Sequence, residues 1–218
     1  MRSVYNLIKK DFLLIKKIIF PIIVFIIGAP IYISSSTPTF QESGGILYAM
    51  LVYMITFMIY HAISLEEMKY KGNVYLKVTP MPMVKIVISK YIIIALTFLT
   101  TTVLYLITSK FPISHMGSVS IKSMTFMFTV ICLYFGFYIP LTFKLGYVKL
   151  QVISTALIFI FPFALPYLMK YLGSNYTLIA YYINSSTLKI TMISLCIVMI
   201  SITSGVFISN SILRNKEY

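Results

Sequence analysis

Six long stretches without a charged side chain divide this sequence, and they constrain its fold more strongly than any other feature. Each has about 19 residues or more, and a bilayer core takes ~20 helical residues to cross. Only 11% of the residues are charged, against roughly 25% in soluble domains. The sequence therefore predicts an all-α polytopic protein of the cell membrane, with one transmembrane domain over 18–218. We expect its six transmembrane helices at about 18–36, 45–65, 88–109, 123–143, 150–169 and 190–212.

The basic residues predict the orientation of these helices, since cytoplasmic loops are enriched in lysine and arginine. If the N-terminus is cytoplasmic, all but four of the 18 basic residues fall on the cytoplasmic side. The first outer loop, 34–45, has none. We therefore expect both termini in the cytoplasm, N-in and C-in. The four basic residues left outside are Lys110, Lys122, Lys170 and Lys189.

Residues 1–17 have the period of an amphipathic helix. At about 100° per residue, Arg2, Lys9 and Lys16 fall on one line, and apolar side chains form the opposite face. Such a helix lies in the headgroup layer of a membrane, where its lysines attract anionic lipid. The apolar face consists of Val4, Leu7, Ile8, Phe12, Leu14 and Ile15.

Asp11 breaks this pattern, because it projects into the apolar face of the N-terminal helix. One interpretation is an acid tolerated near the edge of the helix. The other is an ion pair between Asp11 and a lysine of the stretch 65–90, which would tie two cytoplasmic elements together. The sequence leaves both interpretations open.

The longest polar stretch, 65–90, lies between the second and third spans and begins with the acidic pair Glu66 and Glu67. Because a charge in hydrocarbon costs at least ~2.5–3.5 kcal/mol, we expect this stretch to stand in water on the cytoplasmic side. Glu66 with Lys69, and Glu67 with Lys71, have the spacing of helical ion pairs worth ~0.2–0.5 kcal/mol each. The lysines of the stretch are Lys69, Lys71, Lys77, Lys85 and Lys90.

The middle of this stretch has two interpretations. Tyr75, Leu76 and Val78 provide apolar side chains for the groove of a soluble partner, and Pro80 ends any helix before the third span. Alternatively, residues 65–88 form a solvated loop whose charges only set the topology. The apolar side chains favour the first interpretation, because they have no use in a purely solvated loop.

Prolines predict interruptions in the second half of the chain. Pro140 is expected to end the fourth span before a short inner turn, and Pro162 and Pro166 are expected to break the fifth span. The tyrosine-rich segment 167–188 that follows is too polar for a seventh span. One interpretation is a re-entrant or interfacial helical segment in the outer leaflet. The other is a plain outer loop after a kinked helix. Broken helices at membrane depth occur only where protein or water surrounds them.

Several classes of chemistry have no sequence support. The chain has no P-loop motif, no hydrolase triad signature and no metal-binding spacing, so we expect no enzyme activity and no bound cofactor. The net charge of +13 does not indicate nucleic acid, because the lysines separate apolar runs and form no single basic face. The spans lack carboxylates, which argues against ion-coupled transport. His61 is expected to be a polar residue at a helix end, with a proton relay as the alternative.

Three short motifs resemble those of ABC-2-type permeases. Residues 7–12, Leu-Ile-Lys-Lys-Asp-Phe, are similar to the family's amphipathic N-terminal helix. The stretch 66–91 resembles its first cytoplasmic loop, and 140–149 resembles its small inner loop. The sequence Val78-Thr79-Pro80 departs from the family's usual Ser-Leu-Pro, which puts the shape of that end of the loop in question. Within the family, the chain is similar to the membrane subunits (B permeases) of phenol-soluble modulin exporters of Gram-positive bacteria.

The resemblance implies a membrane subunit of an ATP-driven exporter. A second permease subunit, identical or related, would pair with it, and a separate cytoplasmic ABC ATPase would bind and hydrolyse ATP. The resemblance further implies that the N-terminal helix and a coupling helix within 65–88 contact this ATPase. The implied contact residues are Glu66, Glu67, Lys69, Gly72, Tyr75, Leu76 and Pro80, supported by Lys9, Lys10 and Asp11 of the N-terminal connecting helix.

The cargo follows from the side chains of the spans, which offer tyrosine, phenylalanine, methionine and threonine but no charges. Such surfaces suit amphipathic ligands and re-pack around varied ones. We therefore expect export of amphipathic, membrane-active peptides similar to phenol-soluble modulins. One alternative is a permease for antibiotic or bacteriocin efflux or immunity, and another is a membrane scaffold that recruits a soluble partner without transport. An intramembrane enzyme is the weakest alternative, since no nucleophile and base are paired.

Overall fold

The chain folds entirely into helices over the residues that the computed structural model describes, which are 2–36, 44–70, 82–111, 118–152, 154–156, 160 and 186–215. Residues 147–152 and 154–156 are helical as well. The longer elements are α1 (Arg2–Leu14), α2 (Lys16–Ser36), α3 (Gly44–Lys69), α4 (Met83–Thr108), α5 (Ile121–Leu145) and α6 (Thr187–Asn215). The predicted all-α class is confirmed for these ranges.

Five of these helices, α2 to α6, are long and apolar enough to cross a membrane. They correspond to five of the six predicted spans. The remaining predicted span, 150–169, begins in the helical residues 150–152 and 154–156, and most of it lies outside the described residues. Of the segment 167–188, residues 167–185 also lie outside the described residues. Both interpretations of this segment therefore stay predictions.

The helices pack around α3, which is the most buried of the five candidate spans. Helix α5 packs extensively against α6, and α4 contacts α1, α2, α3 and α6. An aromatic cluster fills the space between α3 and α5, where ring centroids lie 4.3 to 6.2 Å apart. Its members are Tyr53, Phe57, Tyr60, Tyr134, Phe135 and Tyr138. Offset and edge-to-face ring pairs of this kind stabilise the packing beyond the area that they bury.

The N-terminal region differs from the single helix expected over 1–17. Helix α1 ends at Leu14, a turn follows at Ile15, and Lys16 and Lys17 begin α2. The side chain of Ile15 is fully buried at this turn. The amphipathic period continues across the break, which is why the sequence alone does not reveal it.

Two other expected boundaries are wrong. Helix α4 begins at Met83, before the expected start of the third span at 88, so Lys85 belongs to the helix as well as Lys90. Pro140 does not end the fourth span, because α5 continues to Leu145 and is capped by Gly146 with φ of 81°. A proline removes one backbone hydrogen bond and crowds the carbonyl four residues earlier. Here that carbonyl belongs to Gly136, which lies at a close contact with Gly205 of α6, where the two backbones approach each other.

Candidate functional site

A closed ring of four ion pairs joins three helices at one end of the molecule. Its members are Lys10 and Asp11 of α1, Glu67 of α3 and Lys90 of α4. The Nζ of Lys90 lies 3.0 Å from Oδ2 of Asp11 and 2.7 Å from Oε1 of Glu67. The Nζ of Lys10 lies 2.9 Å from Oδ1 of Asp11 and 2.7 Å from the same Oε1 of Glu67. Each lysine therefore contacts both carboxylates, and the ring has no net charge.

The ring lies inside the protein except at one corner. The side chains of Asp11, Glu67 and Lys90 are 1%, 5% and 7% exposed, whereas that of Lys10 is 35% exposed. Burying an isolated charge is costly, and pairing with good geometry is what compensates for it. The mutual ion pairs therefore compensate for the burial of three charged side chains at the junction of these helices.

The helix dipoles do not explain these charges. Glu67 lies in the last turn of α3, where the partial negative charge of a helix C-terminus disfavours an acid. Lys69, in the same turn, has the favourable sign. The carboxylate of Glu67 is therefore stabilised by its lysine partners and not by its own helix.

The period of α1 aims Asp11 into the interior. Leu7, Asp11 and Ile15 are spaced four residues apart and are all buried. Since residues four apart lie on one face of a helix, this line is the face that α1 presents to its neighbours. Of the two interpretations that the sequence left open for Asp11, the ion pair with a lysine of the stretch 65–90 is confirmed, and that lysine is Lys90.

The expectation that the whole polar stretch 65–90 stands in water is wrong for Glu67 and Lys90. Both are buried because each neutralises the other, which removes the cost on which the expectation rested. The expected helical pair between Glu67 and Lys71 concerns a lysine outside the described residues, and Glu67 pairs with Lys10 and Lys90.

A second ion pair lies next to the ring and faces the solvent. Lys69 donates to Oε1 of Glu66 at 2.5 Å, as the i,i+3 spacing predicts. The side chain of Lys69 is 59% exposed, and Tyr70 beyond it is exposed as well. The acidic pair is thus divided: Glu67 binds inward, and Glu66 lies at the surface end of α3.

The remaining residues expected at the site are distributed as follows. Lys9 is exposed on α1, next to the partly exposed Lys10. Gly72, Tyr75, Leu76 and Pro80 lie outside the described residues, so their expected contact with a partner stays a prediction.

A polar contact that the sequence did not reveal lies close to the same end of α3. The hydroxyl of Tyr147 hydrogen-bonds His61, with Nδ1 as the nearer ring nitrogen and Nε2 at 3.2 Å. The Oγ of Ser154 lies 3.5 Å from Nδ1 of His61. Within the described residues, His61 thus links α3 to the helical residues that follow Gly146, and no carboxylate partner indicates a proton relay.

Lys90 is the ring member that the sequence reasoning did not select as a site residue, although it identified the stretch containing it. A signal was present, because the expected span 88–109 includes Lys90, and charged side chains within membrane helices usually pair with one another. The pairing of His61 with Tyr147 had no comparable signal, since both residues are common at helix ends and lie far apart in sequence.

A cavity of about 380 Å³ lies between α4, α5 and α6. Its described lining is mostly apolar, with hydroxyls from Thr125, Thr191 and Ser194. These hydroxyls donate to carbonyls of their own helices, and their oxygens remain able to accept hydrogen bonds. The apolar lining residues include Ala95, Phe98, Leu99, Met124, Phe128, Leu195 and Val198. Within the described ranges no cluster of histidine, cysteine, aspartate and glutamate could hold a metal ion.

Comparison with known proteins gives one match. A family model described as ABC-2 family transporter protein matches residues 6–214 of the chain. That range includes the four residues of the ring, the cavity and all five candidate spans up to residue 214. No curated protein and no solved structure matches the chain significantly.

Proposed function

Because the chain belongs to the ABC-2 transporter family, whose members are membrane permease subunits that work with a cytoplasmic ABC ATPase, we propose that it is the permease of an ATP-driven exporter. It is a multi-pass protein of the cell membrane. A separate ATPase chain supplies the energy for export in this proposal. A second permease subunit, identical or related, completes the translocation path.

The observation that carries this proposal is the arrangement around the ring. Helix α1 and the two helices that flank the polar stretch are fastened together at one end of the molecule. Beside the ring, Glu66, Lys69 and Tyr70 lie at the surface. An exporter driven from outside its own chain needs a surface that a soluble partner can bind and a connection from that surface to the spans. We assign the first role to Glu66, Lys69 and the stretch 70–82, with Gly72, Tyr75, Leu76 and Pro80.

The experiment that tests this assignment is purification of the tagged permease from its native host in mild detergent. We expect an ATPase with a P-loop motif to co-purify. The variant Glu66→Gln/Lys69→Gln should lose most of the ATPase, because it removes exposed charges, while its insertion in the membrane is unchanged. The control is Lys122→Gln. It removes a charge at the start of α5, which is expected on the outer side of the membrane, away from Glu66 and Lys69. A companion without ATPase motifs would instead indicate a scaffold and would refute the proposal.

For the cargo we propose amphipathic, membrane-active peptides similar to phenol-soluble modulins. The support is the chemistry of an open pocket: the cavity between α4, α5 and α6 is apolar with a few hydroxyl groups. Apolar pockets with few polar groups are typical of sites for largely hydrophobic ligands. An amphipathic helix could place its apolar face on such a surface.

The cargo proposal is tested by a clean deletion in the native host. Cells without the permease should accumulate such peptides and become sensitive to them, and the wild-type gene should reverse both effects. The variant Ala95→Phe, which fills part of the cavity, should reduce export while the ATPase still co-purifies. If the intracellular peptide level in the deletion strain equals that of the parent, the cargo assignment is wrong, even if the exporter assignment stands.

A further inference from the structure

We propose that the ring of Lys10, Asp11, Glu67 and Lys90 is a clamp that makes α1, the end of α3 and the start of α4 move as one rigid body. The inference deepens the proposed function, because it states how a pull on the cytoplasmic surface would reach the spans. It assigns the ring residues a positioning role within the permease itself.

The ring connects the two helices on either side of the polar stretch with each other and with α1. Glu67 and Lys90 lie on either side of the stretch between α3 and α4, and their ion pair of 2.7 Å closes the base of that stretch. Asp11 then fastens α1 to the same lysine at 3.0 Å. A displacement of the stretch therefore acts on α3 and α4 together, and α1 follows them.

The ring is closed, because each of its two lysines contacts both of its carboxylates. Lys90 and Lys10 approach the carboxylates from two sides, so separating α1 from α3 and α4 breaks several ion pairs at once. Since Asp11, Glu67 and Lys90 are buried, separation would also leave charges without partners in the interior. An exposed pair such as Glu66 with Lys69 has neither property, because both of its members lie on α3.

The apolar contacts of α1 are modest. Leu7 is buried, and Ile8 and Phe12 pack partly buried against the core, while Tyr5 and Leu13 are exposed. The ion pairs add to this apolar contact in holding α1 against the helices beside it.

The test uses the full-length permease in lipid nanodiscs, with spin labels at the exposed positions Asn6 of α1 and Met68 of α3. Cys132 and Cys196 are first replaced by alanine. We expect one narrow distance distribution in the unmodified ring. The variant Lys10→Gln/Asp11→Asn removes both links of α1 to α3 and α4 and leaves the pair of Glu67 with Lys90 intact. It should at least double the width, and Lys90→Arg should keep it narrow. The control Glu66→Gln/Lys69→Gln should leave the distribution unchanged. An unchanged width in Lys10→Gln/Asp11→Asn overturns the inference.

A second arm adds the co-purified ATPase and compares nucleotide-free with ATP-trapped complexes. The distance between the labels at 6 and 68 should stay constant in the unmodified ring, while the distance from each to a label at Ile121 changes. Export per ATP hydrolysed should fall about tenfold in Lys10→Gln/Asp11→Asn. A change in the 6–68 distance on trapping overturns the clamp and leaves the proposed function intact. If no ATPase binds, the proposed function fails, and the nanodisc arm still decides whether the ring holds α1.

Discussion

Single residues of the ion-pair ring decide how α1, α3 and α4 meet. Lys90 is the centre of the arrangement, because it is buried and contacts a carboxylate from each of two other helices. Removing one partner of a buried ion pair leaves an uncompensated charge, which costs more than the pair contributes while intact. The neighbouring pair, Glu66 with Lys69, lies at the surface of a single helix with Lys69 59% exposed, and has no such consequence.

This difference gives a prediction for stability. Lys90→Met should destabilise the protein by about 3–5 kcal/mol, because Asp11 and Glu67 would then share only Lys10. Glu66→Gln should cost less than about 0.5 kcal/mol. The measurement is thermal unfolding in detergent, followed by a thiol-reactive dye that labels the buried Cys132 in a Cys196→Ser background. Equal losses of stability in the two variants would contradict the assignment of the ring as a buried network.

At the scale of elements, the packing of α5 on α6 depends on small residues. Ser201 donates to the carbonyl of Cys132 at 2.8 Å, and Gly205, one turn further, lies against Gly136. Small residues four apart allow membrane helices to approach closely. Because Pro140 has no N–H, the carbonyl of Gly136 lacks the usual hydrogen bond from four residues later. A side chain at position 205 would collide with this carbonyl.

We predict that Gly205→Ala destabilises the protein by about 1–3 kcal/mol through overpacking. The added Cβ would collide with the hydroxyl of Tyr91 and lie 2.9 Å from the carbonyl oxygen of Gly136. The matched control is Gly28→Ala in α2, where the Cβ would meet no atom within 4 Å. That control should be neutral or stabilising by up to about 1 kcal/mol, since alanine favours a helix over glycine. The same unfolding assay compares the two, and a control that loses as much stability as Gly205→Ala would show that the contact is not the cause.

At the scale of the whole molecule, charged side chains lie at the ends of the helices and the sides are apolar. The end formed by α1, the C-terminus of α3 and the N-terminus of α4 carries the ring and the surface pair beside it. Helices α2 and α6 present large apolar side chains outward, among them Phe20, Tyr32 and Phe207. Such sides suit hydrocarbon or a second subunit, and the exposed charges at the ends suit water.

The orientation is a prediction that labelling can decide. With both native cysteines replaced by alanine, Ile121→Cys should react with a membrane-impermeant maleimide in intact cells, because the start of α5 is expected outside. Tyr70→Cys and Leu145→Cys should react only after permeabilisation. All three positions are exposed at helix ends, so accessibility within the protein does not bias the comparison. Labelling of Tyr70→Cys in intact cells would place the ring outside and contradict the proposed contact with a cytoplasmic ATPase.

The sequence by itself determined the class of the protein. Uncharged runs of bilayer length predicted the helices, because hydrocarbon tolerates neither charge nor unpaired backbone. The motifs around Asp11, Glu66 and Lys90 predicted the ABC-2 family. The exposed pair of Glu66 with Lys69 was also predictable, since it depends only on spacing within one helix.

Only the tertiary structure decided which charges are buried and where the helices end. Lys90 lies on the buried side of α4, and the packing of α1 places Asp11 beside it. Those partners lie 79 residues apart, so no local pattern encodes their distance. The continuation of α5 past Pro140 and the close contact of Gly136 with Gly205 of another helix likewise have no local pattern. Local spacing fixes pairs within one helix, whereas a charge shared among three helices exists only once they have packed.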